Sequence, residues 1–389
     1  MKLEQLMEGV PYTLVQGSPE TEINDIIYDS RKAAPGLLFV CIVGTQRDSH
    51  EFAADCAAKG VSALVIQHDI DLTAVPGVTV VKVESSRYAM ALMSANLFGN
   101  PSRKMTMIGV TGTKGKTTTT HMIKSVLEAA GRKVGMIGTN GIYFMGQHKD
   151  TANTTPESYE LQKTFREFLD AGCDTALMEV SSQGLMMDRV AGVHYDVGVF
   201  TNLTQDHLDF HKTMESYCDA KAILFRNCSV GVVNADDPWT PRLLKDAACR
   251  VMTYAERAEA DLRAEHIALS ADGIAFDAVT ETERVPVRVH IPGGFMVYNT
   301  LDVLGAALAL GIPLKDSAAV LAGVPHVQGR VEVIPTPGKD YTILIDYAHT
   351  PDSMVNVLRT VKEFAKGRTV AVFGCGGDRD RTKRPIMGS

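Results

Sequence analysis

The chain has 389 residues, enough for two or three domains at ~150 residues each. Lysine and arginine number 39 against 46 aspartates and glutamates, and the formal charge of −7 argues against general nucleic-acid binding. With 45% hydrophobic and 22% charged residues the composition is that of a globular protein, not a disordered one.

No apolar run reaches the ~18 residues of a membrane-spanning helix, and residues 1–12 lack a signal peptide's apolar stretch. Seven scattered cysteines without a C-x-x-C pair read as reduced core thiols. These features predict a cytoplasmic protein without membrane insertion. In chain order, the short apolar runs 37–43, 61–67 and 78–83 predict strands, and 88–98 a helix that stops at Gly99-Asn100-Pro101. From about residue 105 strands at 107–110, 134–137, 175–180, 197–200 and 230–233 alternate with helices at 117–130, 156–171 and 214–226. That alternation predicts a mostly parallel, doubly wound sheet with helices on both faces. Residues 250–293 read as β hairpins, and 297–310 and 316–322 as helices. A third α/β unit begins after Gln328-Gly329-Arg330, with strands at 342–346 and 369–373 and a helix at 352–366, and it looks incomplete. The expected domains are 1–103, 104–329 and 330–389.

The most informative segment is the apolar strand 107–110 followed by Gly112, Thr113, Lys114, Gly115, Lys116, Thr117 and Thr118 and then a helix. Gly112 and Gly115 let successive amides point inward around phosphate oxygens. Lys116 supplies a point charge for the β- and γ-phosphates, Thr117 a hydroxyl for Mg²⁺, and the helix N-terminus favours the anion. Val110 stands where the usual G-x-x-x-x-G-K-[ST] pattern has its first glycine. The segment predicts binding of a nucleoside triphosphate, and no guanine-type Asn-Lys-x-Asp segment accompanies it.

Glu179 falls at the C-terminal end of a predicted strand, where open α/β sheets place their ligands, and its carboxylate suits Mg²⁺. His207 lies past the next strand, flanked by Asp206 and Asp209. Arg189 offers a fork for a carboxylate or pyrophosphate. Lys221, in the helix segment Tyr217-Cys218-Asp219-Ala220-Lys221, reads as an ordinary surface lysine.

The loop at 112–117, Asn153-Thr154-Thr155-Pro156, Glu179-Val180-Ser181-Ser182, T-N-L-T-Q-D-H-L-D at 201–209 and D-Y-A-H-T-P at 346–351 follow one another as in the Mur ligases. The chain resembles that family over almost its whole length. Asp29-Ser30-Arg31, P-G-L-L-F-V at 35–40, His50, Tyr217 to Lys221 and G-C-G-G-D-R-D at 374–380 are similar to the subgroup that adds the third residue of the peptidoglycan stem peptide.

The resemblance implies a three-domain architecture: a small N-terminal α/β domain, a central P-loop doubly wound sheet and an incomplete Rossmann-like C-terminal domain. It implies that ATP phosphorylates the D-glutamate γ-carboxylate of UDP-MurNAc-L-Ala-D-Glu, and that the amine of a diamino acid, meso-diaminopimelate or L-lysine, displaces the phosphate. By the same resemblance Glu179, His207 and a carbamylated Lys221 join Thr117 around Mg²⁺, and Asn299, Arg330, Asp346 and His349 meet ATP. Asn153, Thr154, Thr155, Ser181, Met187 (often Gln in the family) and Arg189 meet the muramoyl dipeptide. Ser30, Thr45, Gln46 and Arg47 lie toward the uridine diphosphate, and Arg384 toward the amino acid; the family suggests a monomer.

A folylpolyglutamate synthase shares the loop, the lysine and the acyl phosphate, but normally carries the loop near its N-terminus. A third reading, binding without turnover, rests on the short third unit.

Overall fold

The apolar runs of the first hundred residues form a sheet buried on both faces, in a computed structural model that describes residues 1–44, 47–270, 272–324, 329–348, 351–375 and 383–389. The elements are α1 (Leu3–Leu6), β1 (Thr13–Gln16), β2 (Asp25–Ile27), β3 (Leu37–Val40), α2 (Ala53–Ala58), β4 (Ala63–Ile66), β5 (Thr79–Lys82) and α3 (Ser86–Leu97). The strand order is β1-β5-β4-β3-β2, with β2 to β5 parallel and β1 antiparallel to β5. Leu38, Val40, Ala63 and Val65 join Leu3, Leu6, Met90 and Met93 in one core. Phe39, Leu64, Ile66 and Val80 pack on the opposite face with Cys56 and Val61. Burial on both faces makes these strands continuous apolar runs. No expected element corresponds to β1, whose side chains are mostly exposed, or to the three-residue β2.

Next come β6 (Thr106–Thr111), α4 (Lys116–Ala129), β7 (Val134–Gly138), β8 (Gly141–Phe144), β9 (Gln147–Lys149), α5 (Ser158–Asp170), β10 (Thr175–Glu179), α6 (Ser182–Met186) and β11 (Tyr195–Phe200). They are followed by α7 (Leu208–His211), α8 (Met214–Arg226), β12 (Cys228–Asn234), α9 (Thr240–Leu243), β13 (Arg250–Ala255), β14 (Leu262–Ser270), β15 (Gly273–Val279), β16 (Arg284–Val289), α10 (Phe295–Ala309) and α11 (Leu314–Leu321).

By contacts the chain divides into two units, Met1–Ile108 with Lys133–Asp196, and Gly109–Arg132 with Val197–Ser389. In the first, strands follow the order β6-β10-β7-β8-β9, with β10 parallel to β7 and the β7-β8-β9 meander antiparallel. In the second, β11 to β16 stand side by side in chain order. There β12, β13 and β14 are parallel and β14, β15 and β16 antiparallel, so the hairpin reading of 250–293 fits β14 to β16 but not β13. Helix α10 is buried nearly all round, and Gly305 admits it against β12, since a Cβ there would lie 2.6 Å from Val232 Cγ1.

The last segment holds β17 (Glu332–Ile334) and β18 (Ile343–Ile345), which pair antiparallel, then α12 (Pro351–Phe364) and α13 (Lys383–Gly388). The expected strand at 369–373 does not form: no described strand pairs with it, and Val372 is 95% exposed. An apolar run becomes a strand only where a neighbour satisfies its backbone groups. All seven cysteines are free thiols, five of them buried.

Candidate active site

In the second unit, β6 ends at Thr111 and α4 begins at Lys116, so Gly112 to Gly115 must turn the chain while leaving the first helical amides unpaired within the helix. Gly112 has φ +150°, and a Cβ would fall 1.9 Å from Thr201 Oγ1. Gly115 has φ +88°, and a Cβ would fall 2.5 Å from Asn299 Oδ1. Neither position admits a larger residue without rearrangement.

The residues after β11 grip this loop. Thr201 Oγ1 donates to the Lys114 carbonyl at 2.6 Å, and Asn202 Nδ2 donates to the same carbonyl at 3.1 Å. Asn202 Oδ1 accepts from the Lys114 amide at 3.0 Å, and its carbonyl accepts from the Thr113 amide at 2.8 Å. Lys114 Nζ pairs with Asp206 at 3.0 Å; burial raises that carboxyl, but Lys114 and His207 together more than offset it and lower it overall. Lys116 folds back over the loop, its Nζ donating to the carbonyls of Gly112 at 2.9 Å and Thr113 at 3.1 Å. Thr117 and Thr118 are buried in the first turn of α4.

Lys221 overturns the surface reading: it is 1% exposed, and its Nζ donates to the same Gly112 carbonyl at 2.9 Å. It also lies 4.5 Å over the ring of Tyr217, one helical turn earlier on α8. Burial, then the nearby Lys116, hold its amine well below the ordinary lysine range. An unprotonated amine is the form that adds CO₂.

His207 sits at φ +52° immediately before α7, a conformation costly for a non-glycine residue. Burial lowers its imidazole; Asp206 opposes this, while Lys116 and Lys221 reinforce it, so the ring tends to stay neutral and able to donate a lone pair. His211, buried with its ring 4.9 Å from Tyr217, is pushed down to about 4 by burial, Lys221 and His207. Behind α4, the Asp302 carboxylate accepts from Thr119 Oγ1 at 3.4 Å and from Tyr254 OH at 2.6 Å, and burial raises the Asp302 carboxyl well above its usual range.

In the first unit, Glu179 at the end of β10 is 1% exposed. The Thr139 amide and hydroxyl donate to its two carboxylate oxygens at 2.9 and 3.1 Å. A Cβ at Gly138 would fall 2.4 Å from Glu179 Oε1, so that glycine makes room for the carboxylate. Thr155 Oγ1 donates to the Glu179 carbonyl at 3.0 Å and accepts from the Ser181 amide at 2.9 Å. Ser181 caps α6 through the Gly184 amide at 3.1 Å. Thr154 Oγ1 is 3.0 Å from Thr139 Oγ1, and the exposed Asn153 accepts from Thr151 Oγ1 through its carbonyl at 2.9 Å. Arg189 Nη1 donates to the Thr155 carbonyl at 3.0 Å, and its Nη2 is 3.8 Å from Met187 Sδ.

The other expected residues are more scattered. The Ser30 carbonyl accepts from Lys59 Nζ at 3.0 Å, and the exposed Arg47 pairs with Glu51 at 3.3 Å. Asn299, 3% exposed, lies beside Gly115 with Nδ2 3.5 Å from Met296 Sδ. Arg330 lies 5.4 Å over the Tyr347 ring. The Asp346 carboxylate accepts from the Val331 amide at 2.9 Å and the Ala348 amide at 2.8 Å, so it pins its own turn. Arg384 is on the short α13. Thr45, Gln46 and His349 lie outside the described residues.

Sequence reasoning assigned no role to Thr139, Asn202, Tyr217 or Glu157. The signal available was proximity: Asn202 and Tyr217 fall within motifs already singled out.

A family model described as the Mur ligase middle domain matches residues 110–307, and one described as the Mur ligase glutamate ligase domain matches 329–389. A UDP-N-acetylmuramoyl-L-alanyl-D-glutamate–2,6-diaminopimelate ligase from Clostridium botulinum is 45% identical over 390 residues, covering 100% of this chain and 80% of its own. A ligase of the same name from Clostridium acetobutylicum is 46% identical over 389 residues, with the same coverage of 100% and 80%. A solved structure of a ligase so named superimposes with a TM-score of 0.81 at 28% identity, covering 100% of this chain and 79% of the other.

Proposed function

This chain belongs to the Mur ligase family, and on that premise we propose that it is an ATP-dependent acid–amino-acid ligase of peptidoglycan synthesis, joining a diamino acid to the D-glutamate γ-carboxylate of UDP-MurNAc-L-Ala-D-Glu. The relatives' names favour 2,6-diaminopimelate over L-lysine, and their match over the whole chain favours this reaction over folylpolyglutamate synthesis. The observation that carries the reading is the convergence of Lys116 and the buried Lys221 on one carbonyl of a glycine-built phosphate loop.

A carboxylate is a poor acylating agent at neutral pH. Transfer of the γ-phosphoryl group of ATP gives an acyl phosphate, the amine attacks its carbonyl, and phosphate leaves from the tetrahedral intermediate. The protein's contribution is positioning and charge stabilisation. Gly112, Thr113, Lys114, Gly115, Lys116, Thr117 and Thr118 cradle the phosphates; Asn299, Arg330, Asp346 and His349 are assigned to the remainder of ATP.

The oxygen donors suit Mg²⁺: a hydroxyl, a carboxylate, and an amine in the state that takes up CO₂ to give carbamate oxygens; the imidazole is assigned by the family resemblance. Metal-ligand roles are assigned by the family resemblance to Thr117, Glu179, His207 and carbamylated Lys221. Bound Mg²⁺ supplies neutralisation of the triphosphate charge.

Asn153, Thr154, Thr155, Ser181, Met187 and Arg189 are assigned to the muramoyl dipeptide, and Ser30, Thr45, Gln46 and Arg47 to its uridine diphosphate. Arg384 is assigned to the diamino acid. The domains implied are 1–103, 104–329 and 330–389. No helix of the described residues is long and apolar enough to cross a membrane. A cytoplasmic, monomeric enzyme is what the family resemblance implies.

The test is phosphate release from ATP with and without the UDP-dipeptide and each diamino acid. Release that needs both the dipeptide and diaminopimelate is expected. ATP binding with release indifferent to either would overturn the reading.

A further inference from the structure

Glu157, at the N-cap of α5, has no role in the reaction as assigned above, yet it is gripped from two sides. Arg189 Nη2 lies 2.7 Å from Oε1, and Arg87 Nη1, from the first turn of α3, lies 3.3 Å from Oε2. The three side chains are only 19%, 12% and 25% exposed for Glu157, Arg189 and Arg87. Charges so far out of water depend on their partners, and removing one leaves the others poorly compensated. The contacts continue inward: Arg189 Nη1 holds the Thr155 carbonyl, and the fully buried Thr155 holds both the Glu179 carbonyl and the Ser181 amide. Arg189 itself follows Asp188, a non-glycine residue at φ +55°, so the backbone is turned sharply to aim the guanidinium at this pair.

We propose that Glu157 is a positioning residue for the UDP-linked substrate. Its carboxylate fixes the plane of the Arg189 fork, and Arg87 neutralises its second oxygen. The Thr155–Ser181–Glu179 turn is thereby held in place before substrate arrives. An arginine free to rotate has rotamer entropy to lose on binding, and one already held loses less. The inference rests on the reading that Arg189, Thr155 and Ser181 meet that substrate.

Steady-state kinetics of Glu157→Gln, Glu157→Asp and Arg189→Ala in the enzyme test it. Glu157→Gln is expected to raise KM for the UDP-dipeptide about tenfold, the scale of one charge-assisted hydrogen bond, and to lower the thermal midpoint, with KM for ATP unchanged. Glu157→Asp should recover part of the loss. Should Glu157→Gln fail to fold, Arg87→Ala removes the outer arm alone and should shift the same KM in the same direction. A dipeptide KM that responds to Arg189→Ala but not to Glu157→Gln, or equal rises in both KM values, overturns the positioning role alone. A dipeptide KM indifferent to Arg189→Ala overturns the substrate reading and the positioning role with it.

Discussion

Lys116 and Lys221 approach one carbonyl oxygen from two elements, and their mutual repulsion helps to keep the buried amine uncharged. Their truncations should therefore differ. Lys116→Ala is expected to lower ATP-dependent phosphate release roughly a hundredfold or more with an unchanged circular dichroism spectrum. Lys221→Ala should also lose activity, and raised bicarbonate should not restore it whereas short carboxylates partly should; wild-type rates would show the lysine to be structural only. A different residue gives the molecule part of its acid sensitivity. Burial, then Lys124 and Arg330, push His121 down to about 4. An unfolded histidine titrates near ~6.5, so between those values unfolding takes up a proton. The stability present above pH ~6.5 is lost as pH falls toward ~4, and urea midpoints against pH should show a shallower acid slope for His121→Gln. The buried Lys221 was illegible in sequence for a physical reason: Tyr217, Cys218, Ala220, Ala222, Leu224 and Phe225 are buried around it, so α8 has no narrow apolar stripe from which to tell an inward lysine from an outward one.

At the scale of elements, the phosphate loop is shaped from outside. Asn202 makes three hydrogen bonds to Thr113 and Lys114, two of them through its side chain. Asn202→Ala should raise KM for ATP roughly thirtyfold, about the worth of two neutral hydrogen bonds, with little change in melting temperature. An unchanged KM would mean that the glycines alone set the loop. The helix expected at 214–226 forms at those limits as α8, and the structure shows Thr213 capping it, accepting from the Ser216 amide at 3.1 Å. The expected strand at 369–373 was apolar enough, but apolarity does not supply a partner. The strand β13 lies parallel to β12, a pairing set by tertiary contacts that no local pattern announces.

At the scale of the whole molecule, each unit is drawn from two separated stretches of chain. In the first, Tyr159 OH donates to both carboxylate oxygens of Asp25, 2.9 and 3.0 Å away across more than a hundred residues of sequence. Tyr159→Phe should cost about 1–2 kcal/mol in urea unfolding while leaving nucleotide binding intact. An unchanged midpoint would show that apolar packing alone joins these stretches. This interleaving was invisible to a reading that proceeds along the chain, which finds boundaries where composition shifts rather than where contacts close.

The sealed sulfhydryls have a practical consequence. Cys41, Cys56, Cys173, Cys218 and Cys228 are shut away, whereas Cys249 and Cys375 are only half covered. An alkylating reagent should tag those two first and the other five only when the chain opens, so a ladder of mass increments would serve as a clock for unfolding.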